Sequence, residues 1–484
     1  MREMIADLRA VIGPAHVLAE PDVVAGYATD WTRRYSGVAA CVVRPASTAE
    51  VADVIRACAA HGAPIVPQGG NTSLVGGSVP SGGPPGSDTA AALPPVVLST
   101  GRLTGLDPVD VRSGQVTAGA GVTIARLRAH AAASGLSYGV DLASRDTATV
   151  GGTIATNAGG IHTIRYGSTR AHVAGVTAVL ADGSVVGDMS GLTAGATGYD
   201  IAQLLAGSED TLAVITAARL RFRIAEPPSA VLLAGVTSID GAADLLAGIR
   251  AAVPGVLAGE YFDTAGMDLV CRATGLPRPP GYDGPAAGGD TARPRSQAGP
   301  AGFLLAELTS GDGGSDDIPG RLADATLPEE TWVATDARGM AALWAYRERL
   351  TEAIATRGIP HKIDVAVPAG ELGAFRSELD GVARSGTGHD GEPEVIVFGH
   401  IGVGNLHVNV IGPDPADTSV DAAVVRLVAA HGGSVAAEHG VGRAKATWLG
   451  LSRSAAEIAA MRAIKAALDP AGVLNPGVLL PSER

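Results

Sequence analysis

From about residue 39 the chain alternates short apolar runs with segments of helical period. CVVRPAS reads as a strand, STAEVADVIRACAAHG as an N-capped amphipathic helix, and APIVPQGGN as a strand running into a glycine turn. Further short strands with glycine turns are expected near 96–100, 115–119 and 174–187, and LRAHAAASG reads as a helix with a glycine stop. The grammar is that of helices packed beside a mixed sheet. After ARLRFRIAEPPSA the pair Pro227 and Pro228 marks a boundary, and a second alternation of strands and helices follows. Three parts result: residues 1–226, residues 227–445, and residues 446–484, where SAAEIAAMRAIKAALDPAGVLNPG predicts an amphipathic helix and a Pro-Gly tail that pack back on the body. Within the second part, residues 275–302 are too rich in Gly and Pro for a regular element and read as a mobile surface insertion, a tolerated loop rather than a lid.

A length of 484 residues fits two or three domains, each with its own core. The net charge of −13 and the lack of a dense basic run argue against nucleic acid or an anionic membrane surface as the main partner. Cys41, Cys58 and Cys271 lie far apart without CxxC spacing, so neither an iron-sulfur cluster nor a disulfide framework is suggested, and a reducing cytoplasm is the expected compartment. The first residues, MREMIADLRAVIG, mix charges with apolar groups as an amphipathic helix does, unlike a signal peptide. No apolar run approaches the roughly 18 to 20 residues that span a bilayer, so any membrane attachment is expected to be peripheral. Lysine is rare: Lys362, Lys445 and Lys465 are the only ones among 36 basic residues, which makes each retained lysine more informative.

Two glycine-rich segments carry the first candidate chemistry. PQGGNTSLVGGSVP at 67–80 places paired glycines after a strand, with Asn71, Thr72 and Ser73 between them, so that backbone amides could surround an anion such as a diphosphate. It does not follow GxGxxG opening a helix, which argues against a Rossmann nicotinamide site. TVGGTIATNAGGIHTIRYGSTRAHV at 149–173 repeats the composition with Gly151, Gly152, Thr156, Asn157, Gly159, Gly160 and Gly167. Either loop alone could be a tight turn; the pair suits one extended dinucleotide.

These motifs, with TGYDIAQLLAGSEDTL after them, resemble the FAD-binding signatures of the vanillyl-alcohol oxidase and p-cresol methylhydroxylase superfamily, and the resemblance runs nearly end to end. It implies an α+β protein: a two-part FAD-binding domain of the p-cresol methylhydroxylase type, a ferredoxin-like α+β substrate domain covering the flavin, and a C-terminal helical return. Pro67, Gln68, Gly69, Gly70, Asn71, Thr72, Ser73, Gly77 and Ser78 of the first loop, the residues named in the second, and Glu209 and Asn475 are the cofactor-binding positions it implies. Neither loop contains Cys, and His162 and His172 are the only histidines in them, so FAD is expected to be noncovalent. The family usually has Gly where this chain has Asp210, a residue type that tolerates positive φ better than most.

A second constellation lies in EVIVFGHIGVGNLHVNVI and SVAAEHGVGRAK. A turn between two strands would let His400 and His407 converge, with His407 and Asn409 on one face. Glu438 and His439, if extended, would point to opposite sides, one to a metal and one to acid-base work. Two histidines and a carboxylate make a common catalytic zinc set. FGHIGVGNLH and AEHGVG resemble the metal-dependent D-2-hydroxyacid dehydrogenase branch of the superfamily, which implies His400, His407 and Glu438 as ligands of Zn2+ or another divalent metal; that branch usually has Asp at Val403. In LWAYRERLTEAI and RGIPHKIDVAVP, Arg347 and Thr351 fall four apart on one predicted helical face, and Lys362 begins a strand. The R-x3-T-x10-K pattern resembles that of the D-2-hydroxyglutarate dehydrogenases, where these types bind the acid. Two cations favour a dicarboxylate.

The expected reaction is FAD-dependent oxidation of a D-2-hydroxy acid to the 2-oxo acid, His439 taking the hydroxyl proton and the α-hydrogen leaving as hydride toward flavin N5. Arg347, Thr351, Lys362 and Asn409 would hold the substrate. D-lactate or glycolate oxidation is the alternative within the class; a nonredox flavin transferase like alkylglycerone-phosphate synthase and a noncatalytic flavoprotein subunit are alternatives outside it. Electrons would pass to an external acceptor, an electron-transfer flavoprotein, a quinone, a partner subunit or oxygen, and a homodimer is the assembly considered.

Overall fold

The β-branched runs read above form the strands of a computed structural model that describes residues 1–81, 93–282, 284, 299–310, 318–323, 325–385 and 393–481. They divide between two compact units, one comprising Met1–Gly160, Tyr166–Ala225 and Glu438–Arg484, the other Ile161–Arg165 and Glu226–Ala437.

In the first unit Cys41–Val43, Val96–Ser99 and Ile65–Gln68 pair in parallel, and Val17–Leu18 adds an antiparallel edge. All three parallel strands are buried throughout, as expected where helices cover both faces of such a sheet. The helix Thr48–Ala60 starts at Ser47, whose side chain accepts the Glu50 amide, and turns Val51, Val54, Ile55 and Cys58 into the core. An antiparallel sheet of Gln115–Gly119, Val214–Arg221, Val173–Val179 and Val185–Val186 completes the unit. The second glycine segment departs from a plain loop: Val150–Thr156 is a helix whose first turn is capped by the Thr149 side chain, and it packs so closely that a Cβ at Gly151 would lie 2.7 Å from Ala120 Cβ.

The C-terminal stretch is tied into this unit. Leu474 bridges in parallel to Ile65, and Lys465 Nζ donates to the carbonyls of Thr211 at 2.7 Å and Leu474 at 2.8 Å, closing the helix Ala455–Leu468 onto the body. Residues 438–445, read from the sequence as the end of the second domain, belong to the first unit, where the amides of Val441 and Gly442 bond to Glu209 and those of Arg443 and Ala444 to Val75. Ile161–Arg165 moves the other way, with Ile161 in the second core and Arg165 paired to Glu226.

The second unit is built on a seven-stranded antiparallel sheet in the order Thr331–Ala334, Ala230–Val236, Gly302–Leu308, Val256–Asp263, Glu394–Gly399, Asn405–Ile411 and His361–Ala366. Helices Ile239–Ala252, Thr264–Thr274, Ala337–Glu348, Leu350–Ala355, Leu372–Ser385 and Ser419–Ala430 complete an α+β unit. Of the expected insertion at 275–302, residues 283 and 285–298 lie outside the described residues; at its base Arg278 pairs with Asp268 and the Tyr282 ring packs edge-on against Phe303. No described helix is long and apolar enough to cross a membrane.

Glu209 and Asp210 sit in succession at φ 51° and 55°, in the left-handed region. Burial pushes the Asp210 carboxyl up to about 7, the neighbouring Glu209 adding to the rise against a hydrogen bond from the Ile215 backbone. The folded state therefore holds a proton that the unfolded chain releases near pH 4, so this group favours folding fully below that pH and ceases to as pH rises through about 7. Asp210→Gly is expected to stabilise the protein by about 1 kcal/mol at pH 7.5, relieving both the backbone strain and the buried charge, and to flatten the fall in stability between pH 4 and pH 7. Urea denaturation across that range measures both effects; an unchanged pH slope would show that Asp210 does not titrate there.

Candidate active site

Register on the large sheet gathers the sequence-predicted polar residues of the second unit. Lys362 pairs with Asn409 and Asp364 with His407 across adjacent strands, and Phe398 faces His407 from the other side. Directly opposed residues have Cβ atoms about 5 Å apart, and alternate residues share a face. Lys362, Asp364, His407 and Asn409 are thereby brought to one surface. The two strands around the histidines are joined by the predicted turn, Ile401–Val403 followed by Gly404 at φ 71°, where a Cβ would lie 2.4 Å from the Val367 carbonyl oxygen. This turn brings the rings of His400 and His407 to 5.5 Å, edge to face, and leaves Val403 exposed.

His400 is held by a residue that the sequence reading missed. Tyr261 pairs with Gly399, so Glu260 comes opposite His400, and its Oε1 lies 2.6 Å from His400 Nδ1. The other oxygen accepts Arg347 Nε at 2.7 Å. Glu260 is fully buried; burial works to raise its pKa, yet His400 and Arg347 outweigh it and hold the carboxyl at about 2. Arg347 also lies over the Phe398 ring, its Cζ 4.5 Å from the centroid. One strand away, Glu307 repeats the arrangement, with His162 Nε2 at 2.7 Å on one oxygen and Trp344 Nε1 donating at 3.2 Å to the other. Trp344 and Arg347 are three apart on one helix, so a single helical face docks on both acids.

His407 has its own carboxylate. Asp364 Oδ1 lies 3.5 Å from His407 Nδ1 and accepts Asn405 Nδ2 at 2.7 Å, while Oδ2 accepts the Ala437 amide at 3.2 Å. Asn409 directs Nδ2 to the carbonyls of Ile396 and His407. The expected common face of Arg347 and Thr351 is not formed: the helix Ala337–Glu348 ends and another begins at Leu350, leaving Thr351 exposed while Arg347 turns inward to Glu260. Lys362 is half-buried, and burial lowers its pKa.

In the first unit Glu438 and His439 lie on bends rather than on an extended strand, with His439 Nε2 3.5 Å from Glu438 Oε1. The glycine loop at 67–80 is braced from within. Gln68 Nε2 donates to the carbonyls of Tyr27 and Ser78, each at 2.8 Å, Asn71 Nδ2 to that of Thr29, and Ser78 Oγ to Asn71 Oδ1. A Cβ at Gly70 would lie 1.9 Å from the Thr147 carbonyl oxygen, so the backbone approaches as only glycine allows. No acceptor among the described residues takes the amides of Gly70, Asn71, Thr72 and Ser73, which suits an anionic group. Asn475, at φ 43°, donates to the carbonyls of Gly77 and Glu209, and its buried Oδ1 has no donor among the described residues, an omission worth roughly 1–3 kcal/mol that a ligand would make good. In the second segment Gly160 has φ 133°, Asn157 Oδ1 accepts the Ser168 hydroxyl and the Arg170 amide, and Thr156 bonds back to Gly152. Pro67, Gly69, Gly152, Gly159 and Gly167 lie on the backbone of the same two segments.

Comparison with known proteins agrees with both units. Residues 39–187 match the FAD binding domain family and residues 226–479 the family of FAD linked oxidases, C-terminal domain. The chain is 35% identical to a D-2-hydroxyglutarate dehydrogenase of Xanthomonas citri pv. viticola, over 98% of this chain and 96% of that protein. It belongs to the FAD-dependent D-2-hydroxyacid dehydrogenases. The mitochondrial D-2-hydroxyglutarate dehydrogenase of Bos taurus is 33% identical over 99% of this chain and 83% of its own length. A solved p-cresol methylhydroxylase superposes with a TM-score of 0.73 at 16% identity, covering 99% of this chain and 97% of that one, so the dehydrogenase has the two-part FAD-binding fold expected of its superfamily.

Glu260, Glu307 and Asp364 carried a signal that could have been read. Glu260 interrupts the apolar run of VLAGEYFD ahead of Asp263 at the strand end, Glu307 is the one acid of GFLLAEL, and Asp364 stands two residues from Lys362 on the same face. Replacing Glu260 with Gln would leave His400 and Arg347 facing a neutral amide inside the protein, and removing one partner of such a buried array costs about 3–5 kcal/mol. Urea denaturation of the variant measures this; a loss below about 1 kcal/mol would show that the array does little to hold the sheet.

Proposed function

We propose that this dehydrogenase oxidises a D-2-hydroxy acid bearing a second carboxylate, with D-2-hydroxyglutarate the first choice, to the corresponding 2-oxo acid. The observation that carries the reading is the surface on which Lys362 faces Asn409 and His407 faces Asp364, with His400 beside it. The names of the two relatives support the same substrate.

The residues of the two glycine segments would hold FAD noncovalently, and the flavin would supply the two-electron acceptor for the α-hydride, its electrons going on to an external acceptor such as an electron-transfer flavoprotein or a quinone. His172 is enclosed, its ring 5.2 Å from that of Tyr138, and His162 is engaged with Glu307, which supports the absence of a histidyl-flavin bond. A divalent metal, zinc by the chemistry of the donors, would be held by His400, His407 and Glu438 and would make the substrate hydroxyl a better proton donor. Glu260 and Asp364 engage the Nδ1 atoms, which makes Nε2 the nitrogen each histidine would offer and is the usual outer arrangement of such ligands. His439 accepts the hydroxyl proton, and the residual positive edge of Arg347 together with Lys362 grips the carboxylates, with Asn409 beside them. Thr351, exposed past the helix break, carries no part of this reading.

Anaerobic mixing with D-2-hydroxyglutarate, D-lactate and glycolate tests the substrate, the dicarboxylate being expected to bleach the flavin with a KM at least about 10-fold below the others, an advantage that Lys362→Met should largely remove. Equal KM values for all three would reject a dicarboxylate. Chelation is expected to slow flavin reduction and added Zn2+ to restore it. His439→Asn should slow reduction by about 10²- to 10⁴-fold while FAD remains bound, and near-normal reduction would remove His439 from the role of base.

A further inference from the structure

Glu209 is a buried acid, 6% exposed, for which the reaction above has no use. Its Oε1 accepts the amide of Val441 at 2.7 Å and its Oε2 that of Gly442 at 2.8 Å. These consecutive amides follow His439 by two and three residues. The backbone of Glu209 is committed as well: its N–H donates to the Ala155 carbonyl at 2.8 Å, and its carbonyl accepts Asn475 Nδ2 at 2.8 Å. The turn above the carboxylate tolerates little else than glycine. Gly440 has φ +82°, and a Cβ there would lie 3.0 Å from Glu209 Oε1; Gly442 has φ +53°, and its Cβ would lie 2.2 Å from the Val75 carbonyl oxygen.

We propose that Glu209 is a positioning residue for His439: two consecutive amides fasten its carboxylate under the turn Gly440–Gly442, and that turn sets where the imidazole stands. The inference rests on His439 as the base. It replaces the expectation that Glu209 binds the cofactor directly. Both carboxylate oxygens are engaged by the protein, and an anion has no attraction for the diphosphate of FAD. Charge-assisted bonds to a carboxylate are roughly twice as strong as neutral ones, so the pair is a stiff restraint. Burial pushes Glu209 up to about 7, while the two amides and Lys445 pull it down, so the fold retains a group whose charge it must work to keep. Gln in its place presents an NH2 to one of the two amides and loses that bond.

The test compares Glu209→Gln and Gly440→Ala holoenzymes with the parent. Amide exchange at Val441 and Gly442 should quicken at least about 10-fold, and the limiting rate of flavin reduction should fall about 10- to 100-fold, as expected for misplacement of a reacting group by an ångström or less. KM for the hydroxy acid and the dissociation constant of FAD, measured by reconstituting the apoprotein, should each stay within about threefold. Gly440→Ala carries the same split by forcing a methyl onto the carboxylate, and it decides the matter if the Gln variant fails to fold. Unchanged exchange, or an unchanged rate with quickened exchange, overturns the positioning role. So does a loss of FAD affinity beyond about tenfold with a normal rate in the flavin-loaded fraction, which would return Glu209 to the cofactor. His439→Asn, measured beside them, reports separately on the base: normal reduction there rejects His439, whatever the turn does.

Discussion

A carboxylate without solvent must have its charge met inside the protein, and in the second unit that requirement falls on Glu260. It lies mid-strand, fully buried, and the two groups that meet it arrive from different elements, His400 from the end of a neighbouring strand and Arg347 from the helix Ala337–Glu348. An unmatched ion at this depth would cost several kcal/mol, so the array specifies how the helix docks as well as where the imidazole points. Glu307 applies the same logic one strand over with His162 and Trp344, and the three-residue spacing of Trp344 and Arg347 locks the helix to both acids in one register. The order of the candidate site thus descends from two acids that ordinary patterning would keep out of a sheet core.

The first unit meets a similar demand with backbone instead of side-chain cations. Glu209 is answered chiefly by the amides of Val441 and Gly442, and Asp263 in the second unit likewise by those of Gly266 and Val397, with Arg376 more distant at 4.0 Å. The chemical consequence differs. Arginine and histidine lower a buried acid's pKa strongly, as at Glu260, whereas amides offset desolvation only in part, and Glu209 and Asp263 stay raised to about 7 and about 6. An acid met by cations keeps its charge at any physiological pH; one met by amides sits close to its titration.

Much of this was legible from local pattern. The capped helix after Ser47, the strands at Cys41, Ile65 and Val96, and the turn between His400 and His407 follow from periodicity, capping and glycine placement, which act over a few residues. Partners distant in sequence were not legible. Glu260 and His400 are 140 residues apart, Glu209 and Val441 232, and no local rule selects one such pairing among the many acids and amides available. The helix break at Arg349 was equally hidden: RERLTEAI contains no Gly or Pro, so propensity carries a helix through it, whereas in the structure Arg347 bonds to Glu260 on one side of the break and Thr351 lies on the other.

Because Glu260 already offsets the charge of Arg347, the two cations read from the sequence are not equivalent. Arg347 keeps its planar fork but contributes little net charge, so on the proposed reading its part is to orient a carboxylate rather than attract it. On the same reading Lys362, half-buried on its strand opposite Asn409, supplies the second cation. The chain favours arginine so heavily that three lysines stand among 36 basic residues, and Lys362 is one of them. A guanidinium there would hold its proton regardless of burial and would impose a second planar geometry on the same substrate. On the proposed reading, an ammonium, whose pKa burial already lowers, would meet one carboxylate from several directions while the planar fork of Arg347 would orient the other, a division that suits an acid with two carboxylates at different distances from the reacting carbon.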